Sequence, residues 1–104
     1  MKTVIAIVIA LAAQASMAQC IGEAQIIAKV ETVTITSSTE CTVTVSPYSI
    51  VQYNESKVCP LDMSDVVNQG IQVNLNANQE CSYQAGQDIL GVLVKNASGT
   101  ISLD

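Results

Sequence analysis

The chain has 104 residues, nine of them Asp or Glu and four of them Lys, with no His, Arg, Trp or Phe and a net charge of −5. Without His there is no imidazole base, no His-bearing triad and no His metal ligand. So few cations on an acidic chain also argue against a phosphate-binding face, so nucleic acid is not an expected partner.

The N-terminus reads as an address. Met1-Lys2-Thr3 carries one positive charge, Val4 to Ala13 is an unbroken apolar run, and Ser16-Met17-Ala18 puts small residues at −3 and −1 of a cut after Ala18. That pattern predicts a secretory signal peptide over 1–18, and ten apolar residues are too few to span a bilayer stably. A lipid-modified Cys20 is the sharper alternative. Gln19 is a poor residue to precede such a cysteine, and lipidation would leave an odd number of thiols. No later stretch approaches the roughly 20 apolar residues of a membrane helix, so no stable membrane insertion is expected after cleavage. The expected mature chain is a single small β domain over 19–104, which is 86 residues with a charge of −6 once Lys2 is lost. A core of that size is marginal, and secreted domains of this length commonly add disulfides.

From Ile26 the pattern has period two and is rich in Val, Ile and Thr, which predicts half-buried strands. Ile26, Ala28 and Val30 share one face, while Val33 and Ile35 follow on odd numbers, so the phase slips near Glu31-Thr32 as at a β-bulge. Thr36 to Glu40 reads as a turn. Cys41, Val43, Val45, Pro47, Val51 and Tyr53 then continue on the odd face of a second strand. A turn centred near Ser38 pairs Ile35 with Cys41 and Val33 with Val43. Beyond the bulge the same long hairpin pairs Val30 with Pro47, Ala28 with Ser49 and Ile26 with Val51. Pro47 lacks a donor and calls for an edge or a bend there.

Cys59 to Val67 fits either one helical turn, with Pro60 early and Gly70 behind it, or a loop. Ile71, Val73 and Leu75 alternate with Gln72, Asn74 and Asn76, and the polar run to Glu80 turns the chain toward Cys81 and Tyr83. Ile89 to Val94 is apolar on both faces and predicts a central strand. Asn96-Ala97-Ser98-Gly99 suits a type I turn, with Ile101 and Leu103 inward on the returning strand. About six short, mostly antiparallel strands predict a small mainly β domain, a disulfide-stabilised sandwich or partly open barrel.

The hairpin constrains the four cysteines. An extended first strand carries Cys20 tens of ångströms from Cys41, whereas the register brings Cys20 toward Lys57, two residues from Cys59. The expected pairs are therefore Cys20–Cys59 and Cys41–Cys81. No C-x-x-C supports redox chemistry, and the cysteines, at least 18 apart, lack the paired spacing of a zinc site.

Other chemistry is sparse. Asp62 and Asp65, with Glu55 nearby, lack a calcium-loop pattern and read as a helix start or a solvated face. The five glycines are scattered singly, and no Ser-x-x-Lys lies in an apolar setting. No catalytic residue, metal or cofactor is therefore expected. Asn54 and Asn96 match the N-glycosylation pattern, which matters only in a host that glycosylates exported chains. Tyr48 and Ile50, on the even, outward side of the second strand, are the candidate contact patch. The expected protein is exported, to the periplasm or the medium, and acts by binding an unidentified protein partner. It is either an envelope or surface component associating through strand edges, or an inhibitor presenting the disulfide-braced loop from Val58 to Val67 to a secreted enzyme.

Overall fold

Residues 21–104 are described by a computed structural model, so the expected signal peptide over 1–18 and Cys20 lie outside the described residues. The strands are β1 (Gly22–Lys29), β2 (Thr32–Ile35), β3 (Glu40–Thr44), β4 (Ile50–Glu55), β5 (Ile71–Asn74), β6 (Asp88–Lys95) and β7 (Ile101–Leu103), with helix α1 (Met63–Gln69) between β4 and β5. They form one sheet in the order β2-β3-β5-β7-β6-β1-β4. Every neighbouring pair is antiparallel except β5 and β7, which meet in parallel at Gln72 and Ser102.

Chain connectivity forces this sheet to curl. β1 and β2 stand five positions apart in the sheet, about 24 Å if it lay flat. The link from Lys29 to Thr32 reaches about 10 Å at most. The two ends of the sheet are thus drawn toward each other into a half-barrel, and Glu31 N–H donates to Thr44 O (2.8 Å) at the crossing point. The phase slip at Glu31-Thr32 is this corner. Before it, alternate β1 residues Ala24, Ile26 and Ala28, followed by Val30, are buried; after it, Val33 faces inward. A strand that changes partner at a corner needs such a break in its alternation.

The expected hairpin is correct in its outer half and corrected in its inner half. β2 and β3 pair Ile35 with Cys41 and Val33 with Val43. β1 and β4 also pair antiparallel, but Ala28 meets Ile50 and Ile26 meets Tyr53, instead of Ser49 and Val51. Val30 does not pair with Pro47; its N–H donates to Gln87 O (2.8 Å). The difference arises in the Ser46–Ser49 turn, where Ser49 and Ile50 N–H both donate to Ser46 O and the chain leaves the ladder around Pro47. A second shift between Ile27 and Ala28 turns Val51 out to solvent, while Tyr53 packs against the core on the face its alternation predicts. The hairpin's two halves consequently end at opposite edges of the sheet.

The concave face holds one core of Ala24, Ile26, Ala28, Val30, Cys41, Val43, Val45, Ile71, Val73, Ile89, Leu93 and Ile101, capped by Leu61 and Val66. The Cys59–Val67 segment resolves as a helix that follows a short loop. Asp62 is its N-cap residue without a side-chain capping bond, and Gly70 ends it, donating its N–H to Val66 O (2.9 Å). Gly70 has φ +80°, and a Cβ there would lie 2.7 Å from Thr42 Cγ2 and 3.0 Å from Val43 O. Only glycine lets the chain leave α1 this close to β3. β6 is interior to the sheet as expected, although Leu90 on its convex side is 59% exposed. In the Asn96 turn, the Asn96 side-chain oxygen accepts from Ser98 and Thr100 N–H, and Gly99 takes φ +92°.

Candidate functional site

The cysteines divide between the described and undescribed parts of the chain. Cys41 and Cys81 are bonded, with Cα atoms 5.7 Å apart, and this tie holds the loop after β5 against β3. Cys59 is not free, and the expected pairing with Cys20 lies outside the described residues. Cys59 O accepts the Glu23 N–H (2.7 Å), which places Cys59 beside the start of β1.

Tyr48 and Ile50 are separated by the turn that holds them. Ser46 N–H donates to Ser49 Oγ (2.9 Å), and Ser49 Oγ–H returns to Ser46 O (3.2 Å), so the two serines staple the turn on both sides of Tyr48. Tyr48 projects fully, at 98% exposure, whereas Ile50 is half-buried against the core. Val51, 77% exposed, takes the outward place instead. With Lys29, Val30, Glu31, Tyr48 and Ser49 it lines a shallow depression of about 360 Å³. Sequence alternation alone cannot find Val51, because it is the extra residue at the β1–β4 register shift, set between Gln52 opposite Ile27 and Ile50 opposite Ala28.

The second open feature lies at β2. Ile35 faces the concave side yet is 57% exposed, and Val33 beside it is only partly covered. These two line a groove of about 430 Å³ with Glu80, Cys81, Tyr83 and Gln84. The groove marks where the half-barrel stays open, between the free side of β2 and the loop that leads into β6. Outward on β2 and β3, Thr32 bonds Thr44 hydroxyl to hydroxyl, and Gln72 Nε2 donates to Thr42 Oγ1 (2.7 Å). Among the described residues, β2 and β4 each have one neighbour, so both edges of the sheet present unpaired backbone groups.

The acids do not converge on a centre. Asp65 pairs with Lys95 at 3.4 Å, tying α1 to the end of β6, and Lys29 pairs with Asp88 at 3.3 Å across β1 and β6. Among the described residues, no group of three or more His, Cys, Asp or Glu is placed to hold a metal ion. The one strongly perturbed group among the described residues is Tyr53, whose hydroxyl donates to Leu61 O. Burial, reinforced by the negative charges of Glu55, Asp62 and Asp65, pushes its phenol up to about 12. A tyrosine held neutral in this way fastens the edge strand β4 to the loop before α1.

In the loop from Val58 to Val67, Val58 is 62% exposed, and Ser56 Oγ accepts from Val58 and Cys59 N–H. Leu61 and Val66 are buried. No helix among the described residues is long and apolar enough to cross a membrane. The described residues form a disulfide-bonded β half-barrel with two open edges. In comparisons with known proteins, the chain matches no family model, no curated protein and no solved structure.

Proposed function

We propose that this protein is a small exported binding module, acting by structural association with another protein at the cell envelope or outside the cell, and that it carries out no catalysis. The observation that supports this most is the pair of free sheet edges, each beside exposed apolar side chains: Ile35 at β2, and Tyr48 with Val51 at β4. An unpaired edge offers main-chain hydrogen bonds, and neighbouring apolar side chains offer selectivity, the two ingredients of strand addition. The Cys41–Cys81 bond is compatible with an oxidising compartment, and the N-terminal pattern supports export, to the periplasm or the medium.

A second reading rests on Val58. It projects from a loop whose backbone is held by Ser56 and Glu23 and whose far end is anchored by buried Leu61. A braced loop with one exposed apolar residue suits an inhibitor of a secreted enzyme, because little ordering entropy remains to be lost on binding.

Capture from envelope and culture-medium extracts on the oxidised protein, with reduced and alkylated protein as control, separates the two. A structural protein retained only by the oxidised bait supports edge association. A protease or lytic enzyme, lost on Val58→Asp, supports the inhibitor. Turnover of any substrate that disappears on mutating an acid overturns both.

A further inference from the structure

We propose that two copies of this chain associate through β2, paired antiparallel to itself about a two-fold axis at Thr34. This rests on the contact function proposed above and names its partner as a second copy.

The phase of the β2–β3 ladder determines what β2 offers on its free side. Thr36 N–H donates to Glu40 O (3.1 Å), continuing the register that sets Thr34 opposite Thr42 and Thr32 opposite Thr44. Antiparallel ladders alternate, so the threonines direct their backbone groups to β3, and Val33 and Ile35 direct theirs outward. Each copy thus presents two N–H and two C=O groups. One two-fold register uses all of them: Val33 opposite the second copy's Ile35, and Ile35 opposite its Val33. In that register Thr34 faces Thr34, Thr32 faces Thr36, and Val33 and Ile35 cover each other along the open groove.

Neighbouring registers are worse. Sliding to Val33 opposite Val33 sets Glu31 against Ile35. Sliding to Ile35 opposite Ile35 calls on Ser37, whose N–H already donates to Glu40 O (3.1 Å). Charge supports the same choice. Thr32 to Thr39 contains no charged residue, Pro or Gly, in a chain of net charge −5. The two copies' Glu31 residues would stand about 20 Å apart along the paired strands, more than twice the screening length of about 8 Å at physiological salt. β4, by contrast, has a proline before it, a register shift within it and Glu55 at its end, all features that blunt an edge.

Thr34 is the position that tests this, because it is exposed and meets its own copy in a non-hydrogen-bonded pair, where side chains come closest. Oxidised protein purified after export is examined by sedimentation equilibrium from about 10 µM to 1 mM, the range suited to a short-strand interface. The parent is expected to dimerise. Thr34→Lys alone and Thr34→Glu alone are expected to lose the dimer, and an equimolar mixture of the two to recover it. Ile35→Lys, with two apolar cross-strand pairs lost, should weaken dimerisation by about tenfold or more. Val51→Lys, on β4, should dimerise like the parent, and circular dichroism of every variant should match the parent's.

A parent that is monomeric throughout, open-ended filaments, a Thr34→Lys protein that dimerises normally, or a mixture that does not recover each overturns self-pairing through β2. A monomeric parent that still retains a different protein in the capture experiment overturns the self-pairing while leaving the contact function standing.

Discussion

Replacing the buried Gly70 by Ala should destabilise this protein more than the addition of one methyl group suggests. Gly70 adopts φ +80° and ψ 178°, a region open essentially to glycine, and placing an L-residue there costs about 1–3 kcal/mol. The added Cβ would also sit 2.7 Å from Thr42 Cγ2 and 3.0 Å from the Val43 carbonyl oxygen. The methyl contact can be relieved by side-chain movement, but the carbonyl belongs to the β3 ladder and cannot retreat without breaking it. Overpacking of that kind costs about a further 1–3 kcal/mol. The combined loss, about 2–6 kcal/mol, is a large share of the total stability of a domain this size. Urea unfolding of the oxidised parent and Gly70→Ala measures it. Thr42→Ser removes Cγ2 while keeping the hydroxyl that accepts from Gln72 Nε2. In a double-mutant cycle it should recover about 1 kcal/mol of the Gly70→Ala loss, the share owed to the methyl contact, and leave in place the shares owed to the Val43 carbonyl and to the backbone conformation. A Gly70→Ala protein within about 0.5 kcal/mol of the parent would refute the assignment of this residue to the close crossing of α1 and β3.

Further outcomes follow from the same structure. Converting both Cys41 and Cys81 to Ala opens a loop spanning 40 residues and should cost about 4 kcal/mol in the chain-entropy account, measured by denaturant unfolding without reductant. Tyr53→Phe removes the hydroxyl bond to Leu61 O and should cost about 1 kcal/mol. Because the folded phenol titrates near 12 rather than 10.0, its contribution is complete below pH 10 and is lost as pH rises toward 12. The difference in stability between parent and Tyr53→Phe should therefore shrink over that window, and tyrosinate absorbance missing from the variant should rise only toward pH 12. Non-reducing peptide mapping of the exported protein should recover Cys20 joined to Cys59. Recovery of Cys20 as a lipid-modified residue would overturn that pairing.

Much of this architecture was legible in the chain because strand chemistry is local. Alternation of Val, Ile and Thr marked the strands, the phase slip at Glu31-Thr32 marked the corner, and the turn near Ser38 determined how Ile35 and Val33 meet Cys41 and Val43. The Cys41–Cys81 bond was reached by elimination, once Cys20 was expected to pair with Cys59, and the structure contains it. Three features were not legible. The Ser46–Ser49 turn takes residues out of the ladder through hydrogen bonds between two serine side chains and their backbones, which no alternation pattern records, and with the register shift beside it Ile50 and Val51 exchanged faces. Asp62 to Gly70 could be helix or loop until Leu61 and Val66 were seen buried against the curled sheet. The parallel meeting of β5 with β7 depends on strands from distant parts of the chain.

The open edges belong to the same division. Composition alone says that Thr32 to Thr39 lacks the charges and prolines that protect an edge. Whether that segment lies at an edge is decided by the sheet order, and that order follows from curling. Two residues between β1 and β2 cannot bridge a flat sheet, so the sheet bends until they can, and the bend places the two halves of one hairpin at opposite rims. Local side-chain pattern thus determined which segments are strands and which of their faces are apolar. Tertiary closure, governed by the reach of the backbone, decided which strands were left without a partner.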